Sequence, residues 1–180
     1  MPGDAPVLIL SGPPGVGKTT VAALLAARFP RAVHLEADHF FRYIRAGYVE
    51  PWRPESNEQN RAVMGVVANA AAGYAAAGYF TVVDGIVIPG WFLEPVRDAL
   101  RAAGLGVDLA ILRAPLSTCL ARVRRREGIP SIDPEAIERV WQGFAKCGEF
   151  EPHAIDLGDE GPDEVADMLV RRIEDGQLAT

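Results

Sequence analysis

Short runs of consecutive apolar residues alternate along this chain with longer stretches whose apolar residues recur every three or four positions. Such alternation predicts buried parallel strands separated by amphipathic helices. Val7 to Leu10 is the first apolar run and ends in a Gly-rich turn. A helix is expected from about Gly17 to Phe29, with Val21, Leu24, Leu25 and Phe29 on one face. Ala32 to Glu36 reads as a second strand, and Asp38 to Arg45 as a short helix before the turn-rich stretch Gly47 to Pro54. Ser56, with Gln59 three residues on, has the spacing of a capping box and should open a long helix striped by Val63, Val66, Val67 and Ala70.

Tyr79 to Asp84 is the third predicted strand, Leu93 to Ala103 a helix, and Val107 to Leu112 the fourth strand. An Arg-rich helix should run from Leu116 to Arg126, and Asp133 should cap another from Pro134 to Lys146. A short strand near His153 to Asp156 and an amphipathic helix from Pro162 to Ile173 follow. Strands alternating with helices imply a parallel sheet covered on both faces, an α/β architecture. The chain shows no repeat or composition break, so one domain over residues 1–180 is expected.

Composition narrows the function classes. The chain has 180 residues, 49% hydrophobic and 23% charged, which suits a globular fold with a sizeable core. The net charge of −6 argues against a dedicated nucleic-acid binder. No run approaches the length of a membrane span, and the N-terminal MPGDAPVLIL lacks the basic region of a signal peptide. Cys119 and Cys147 have no metal-ligand spacing and read as buried reduced thiols, which suits a cytoplasmic protein. The expected state is a monomer or homodimer.

The strongest local signal is SGPPGVGKTT, which contains GxxxxGK(S/T) between Gly12 and Thr19. Glycines let the backbone turn its N–H groups toward phosphate oxygens, and the following helix adds the positive end of its dipole. Lys18 is the cation for the β- and γ-phosphates, and the Thr19 hydroxyl is a Mg²⁺ ligand. The candidate nucleotide contacts are Gly12, Pro13, Pro14, Gly15, Val16, Gly17, Lys18, Thr19 and Thr20. A switch GTPase should also carry a guanine-reading Asn-Lys-x-Asp, which is missing, and motors or AAA-type ATPases usually need a larger domain.

Three features together resemble the P-loop small-molecule kinases: the short strand into GPPGVGKTT, the acidic residue after strand two in HLEADHF, and the arginine cluster ARVRRRE. That group includes shikimate, gluconate and nucleotide kinases, chloramphenicol phosphotransferase and the zeta toxins. HLEADHF followed by VVDGIVIPGW looks closest to the chloramphenicol phosphotransferase-like branch. The resemblance implies a three-layer P-loop NTPase fold with sheet order 2-3-1-4-5 and a small Arg-rich lid at about residues 122–133. It further implies ATP and Mg²⁺ as cofactors and a small-molecule acceptor.

By the same resemblance, Asp38 is the base that activates an acceptor hydroxyl, with Glu36 in reserve. A helix N-cap is the plainer role for Asp38. Asp84, ending an apolar strand, looks like a Walker B carboxylate for Mg²⁺, or else a turn Asp before Gly85. Arg122 and Arg126 stand four residues apart and so share a helical face toward bound phosphates, against the alternative of a solvated basic surface. Arg124 fits that solvated role best. The loop Asp156 to Asp159 falls where related kinases cradle adenine.

The acceptor pocket is expected between the segments after Asp38 and after Asp84. These carry Phe40, Phe41, Tyr43, Tyr48 and Trp52 on one side and Ile88, Pro89, Trp91 and Phe92 on the other. Aromatics suit a ring-bearing acceptor such as an antibiotic or nucleoside, whereas Arg42, Arg45 and Arg53 suit an anionic one. A nucleoside-monophosphate kinase and a regulatory module without transfer therefore stay open.

Overall fold

A computed structural model of the chain describes residues 6–125 and 133–180. Its sheet contains β1 (Val7–Ser11), β2 (Ala32–Glu36), β3 (Phe80–Asp84), β4 (Val107–Arg113) and β5 (Ala154–Asp156). All neighbouring strands are parallel. The order is β2-β3-β1-β4-β5, as the kinase resemblance implies. Every residue of β1 and β3 is buried, which explains why these strands read as unbroken apolar runs.

Successive side chains of β1 enter opposite layers. Val7 and Ile9 pack beneath Val63, Val67 and Ala71 of α3 (Asn57–Ala76) and Leu93, Val96 and Leu100 of α4 (Leu93–Ala102). Leu8 and Leu10 pack on the other face against Val21 and Leu25 of α1 (Lys18–Ala26) and Val165 and Leu169 of α7 (Pro162–Glu174). Cys119 of α5 (Leu116–Arg124) joins that second layer. Ile137 of α6 (Pro134–Gln142) is also buried. Both cysteines are free and buried, and burial pushes their thiols to higher pKa, away from the reactive thiolate.

Register brings the functional ends together. Leu10 of β1 is level with Asp84 of β3, and Asp84 is level with Glu36 of β2. The chain leaves β1 between strands that continue on opposite sides, so a crevice opens at this carboxyl edge.

Some element ends differ from expectation. Gly17 is the N-cap of α1 rather than its first residue. α5 stops at Arg124 with Arg125 as its C-cap, and Arg126 lies outside the described residues with most of the expected lid. α2 (Ala37–Arg42) follows β2 without a loop, and its N-cap is Glu36, still extended at φ −82° and ψ 107°. Asp38 therefore stands inside the first turn and does not cap it.

The Ser56–Gln59 capping box does not form either. Ser56 already has helical backbone angles and makes no side-chain cap bond. Its hydroxyl instead bonds the Pro51 and Arg53 carbonyls at 2.8 and 2.7 Å. The Gln59 amide grips both backbone groups of Val49, accepting from its N–H at 2.9 Å and donating to its C=O at 2.7 Å. Asn60 Nδ2 donates to Pro51 O and Ser56 Oγ, each at 2.8 Å. The start of α3 thus clamps the preceding loop, whose backbone groups have no ladder partners of their own. Gln59→Ala should speed hydrogen exchange at the Val49 amide by roughly two- to tenfold, the loss of one net hydrogen bond, while the first amides of α3 stay unchanged. Faster exchange confined to those helix amides would restore the capping box.

Candidate active site

The phosphate loop connects β1 to α1 and is packed backbone against backbone. A Cβ on Gly12, at φ +144°, would stand 2.3 Å from the Leu112 carbonyl oxygen. One on Gly15, at φ +81°, would stand 2.3 Å from that of Cys119. Neither position admits a side chain, because the loop is pressed onto β4 and α5 and the angles favour glycine. The first turn of α1 carries no acidic residue and no side-chain cap, which leaves its N–H groups to an anion. Lys18 is buried in the loop, and its Nζ donates to the Pro13 carbonyl at 3.1 Å.

Arg122 reaches the loop from α5 and donates to Val16 O at 3.0 Å. It also lines a cavity of about 250 Å³ with Gly17, Thr20, Leu157, Gly158 and Pro162. The phosphate loop, the arginine helix and the segment after β5 therefore share one recess. Arg124 is exposed, with no side-chain hydrogen bond among the described residues.

Asp84 is buried to 4% exposure at the end of β3. Its Oδ2 lies 3.4 Å from Nε2 of His34 on β2, while Oδ1 is buried without a partner. An orphaned carboxylate oxygen is costly, and a divalent cation or its bound water would satisfy it. Thr19 is exposed in the first turn of α1, and among the described residues no group of three or more His, Cys, Asp or Glu is placed to hold a metal ion by itself. That donor set fits Mg²⁺ shared with substrate phosphates rather than a protein-only cage.

Beyond Asp84 lies a cleft of about 580 Å³. Phe41, Tyr48, Trp52, Trp91 and Phe92 form its aromatic walls, with Ile44, Met64, Ile86 and Val140 between them. Asp38, Arg42 and Asn60 are its polar members. Asp38 is exposed and accepts no hydrogen bond among the described residues. Burial, then the charges of Glu50 and Asp38, push the Tyr48 phenol upward in pKa, so it remains a donor at neutral pH.

A family model described as an AAA domain matches residues 7–147. The chain belongs to that AAA-domain family. The matched residues include the phosphate loop. Motors and kinases share such a loop, so this match does not separate them. Solved structures add a likeness of fold. The tunicamycin resistance protein of Deinococcus radiodurans overlays with a TM-score of 0.73 at 23% identity, covering 94% of this chain and 95% of that one. Shikimate kinase from Acinetobacter baumannii, solved with shikimate, overlays at 0.67 and 22%, covering 97% and 96%. The APS kinase of Mycobacterium tuberculosis, solved with AMPPNP and APS, overlays at 0.70 and 19%, covering 95% and 98%. No curated protein matches the sequence. The fold is that of the P-loop small-molecule kinases, and no helix among the described residues is long and apolar enough to cross a membrane.

Within this AAA-domain chain, most of the expected aromatics converge on the cleft. Phe40 and Tyr43 instead pack edge to face on each other, and Ile88 and Pro89 do not line it. Gly85 brings the end of β3 against Ala37, where an added Cβ would meet the Ala37 Cβ at 2.9 Å. Ser11 was missed. Its buried hydroxyl donates to the Val87 carbonyl and accepts from the Val87 N–H, both at 2.9 Å, fixing the segment after β3 to the root of the phosphate loop. A serine closing the apolar run Val7–Leu10 was the available signal. Asn60 was the other, a polar residue on the buried stripe of α3.

Gly15→Ala should weaken nucleotide binding and cost about 1–3 kcal/mol of stability through backbone strain. Thermal unfolding together with calorimetric titration of the nucleotide checks both. Unchanged melting with unchanged affinity would show that the loop is not packed this tightly.

Proposed function

We propose that this protein is an ATP-dependent phosphotransferase acting on a hydroxyl of a small molecule held in the aromatic cleft. The observation that carries the proposal is Asp38, an unpaired carboxylate on the cleft wall, two residues past the end of β2 and on the same sheet edge as the phosphate loop. In a chain that otherwise pairs many of its acids, a free carboxylate at this point suits a proton acceptor.

The acceptor oxygen forms a bond to the γ-phosphorus while the bond from that phosphorus to the β,γ-bridging oxygen breaks. ADP leaves with the electron pair, and the hydroxyl proton passes to the Asp38 carboxylate. Lys18 and the N–H groups of the loop hold the β- and γ-phosphates, and Arg122, bonded to Val16 O, stands beside the loop. Thr19 and Asp84 would hold Mg²⁺, which when bound neutralises phosphate charge. The recess of Gly17, Leu157 and Gly158 would take the adenine.

The nucleoside-monophosphate kinase reading has one observation in its favour, the presence of Arg42 on the cleft wall. Arg45 and Arg53 do not line the cleft, and Arg53 pairs with Glu50 at 3.0 Å.

Asp38→Asn tests the proposal. The variant should fold, bind ATP normally and lose on the order of 10²–10⁴ in rate. Acceptor-dependent turnover above about a tenth of wild type would remove Asp38 from the mechanism and favour the monophosphate reading. A chain that consumes ATP equally with and without every acceptor would instead be a regulatory module.

Arg122→Ala should lower kcat more than nucleotide affinity, because a charge aimed at the transferring group acts most strongly in the transition state. A raised KM with kcat unchanged would reduce Arg122 to ordinary binding.

A further inference from the structure

The cleft is well suited to one kind of acceptor and poorly suited to two others. We infer that the acceptor is a largely apolar, ring-bearing alcohol, neither a polyol nor a phosphorylated compound. The inference rests on the phosphotransferase reading above and adds the chemical class of the acceptor.

Polar capacity is the first argument. Among the described residues, Arg42 is the one cation on the cleft wall and Asp38 the one carboxylate. A phosphate group brings close to two negative charges and three acceptor oxygens, and sites that bind it gather several cationic donors. Asn60 contributes little further capacity. Its Nδ2 is committed to Pro51 O and Ser56 Oγ, while its Oδ1 is buried without a donor. The amide cannot be turned over without pointing its oxygen at the Pro51 carbonyl, so only an acceptor remains. The phenol of Tyr48 and the indoles of Trp52 and Trp91 add a donor each. A polyol placed here would leave most of its hydroxyls facing aromatic and aliphatic carbon, each losing water without replacement.

The aromatic walls supply the second argument. Core packing accounts for most aromatic clusters, but Tyr48, Trp52 and Trp91 remain 48%, 54% and 39% exposed. Tyr48 and Trp52 sit in the loop that α3 clamps through Val49, Pro51 and Arg53. A clamp that holds large apolar faces against water opposes the hydrophobic effect unless something apolar covers them. Holding them beforehand also spares a ligand the cost of ordering the wall. The volume, about 580 Å³, falls within the roughly 300–1,000 Å³ of small-molecule sites.

Binding and transfer are measured separately. Of the three tryptophans, Trp52 and Trp91 line the cleft, so tryptophan emission without nucleotide reports occupancy. Phenylethanol and borneol serve as ring alcohols, glucose as a polyol and adenosine monophosphate as a phosphorylated compound. The ring alcohols should give a saturable emission change that glucose and the monophosphate do not. The double variant Trp52→Ala with Trp91→Ala should weaken ring-alcohol binding by roughly tenfold or more in equilibrium dialysis. With Mg²⁺-ATP, phosphorus NMR should then show a phosphate ester of the ring alcohols. Saturable binding with no ester on any acceptor supports the acceptor class and sinks the phosphotransferase reading. Ester formed preferentially on glucose or on the monophosphate keeps that reading and overturns the inference. Absence of ring-alcohol binding overturns it as well.

Discussion

The phosphate loop has no room for side chains where it crosses β4 and α5, and the rest of the site depends on that closeness. Gly12 and Gly15 bring backbone to within contact of the Leu112 carbonyl on β4 and the Cys119 carbonyl on α5. A loop held this way presents its N–H groups in one arrangement, so phosphate charge meets fixed dipoles rather than dipoles that must be organised on binding. Arg122 adds to the same packing through its bond to Val16 O, tying the arginine helix to the loop it faces. Ser11 does so from the other side by holding Val87.

From that anchor the sheet register distributes the chemistry. The ends of β1, β2 and β3 are level, so the phosphate loop, Glu36 and Asp84 share one edge. Parallel strands bring their carboxyl ends to the same side, and the helices leaving them begin there. Asp84 gains its character from this position, since burial between strands leaves Oδ1 without a donor and makes a cation welcome. Asp38 shows the opposite arrangement. Glu36 ends β2 and caps α2, which lifts Asp38 into the open first turn with its oxygens unengaged. One carboxylate is buried, with His34 at one oxygen and nothing at the other, whereas the other carboxylate is exposed with both oxygens unengaged.

The aromatic cleft has a less local origin. Its walls come from the segment after β2, the segment after β3 and the first turns of α3. The side chains of Ser56, Gln59 and Asn60 convert a turn-rich stretch into a fixed wall. Their spacing has the form of a helix cap, yet the loop competes for the same donors and acceptors and wins, because its backbone is otherwise unsatisfied.

Local chemistry was legible in the sequence wherever it is contiguous. The apolar runs predict β1, β3 and β4, since a strand buried on both faces needs little but apolar residues, and GPPGVGKTT predicts the loop because its glycines and lysine must be neighbours to work. The arginine cluster and the two acidic residues were legible as candidates for the same reason. Only the tertiary structure decided which side chains share a cavity. It brought Trp52 to Trp91 and His34 to Asp84, and left Arg45 and Arg53 outside the cleft. Those outcomes depend on register and on competition for hydrogen bonds between segments far apart in the chain, and neither leaves a periodic mark on the residues that take part.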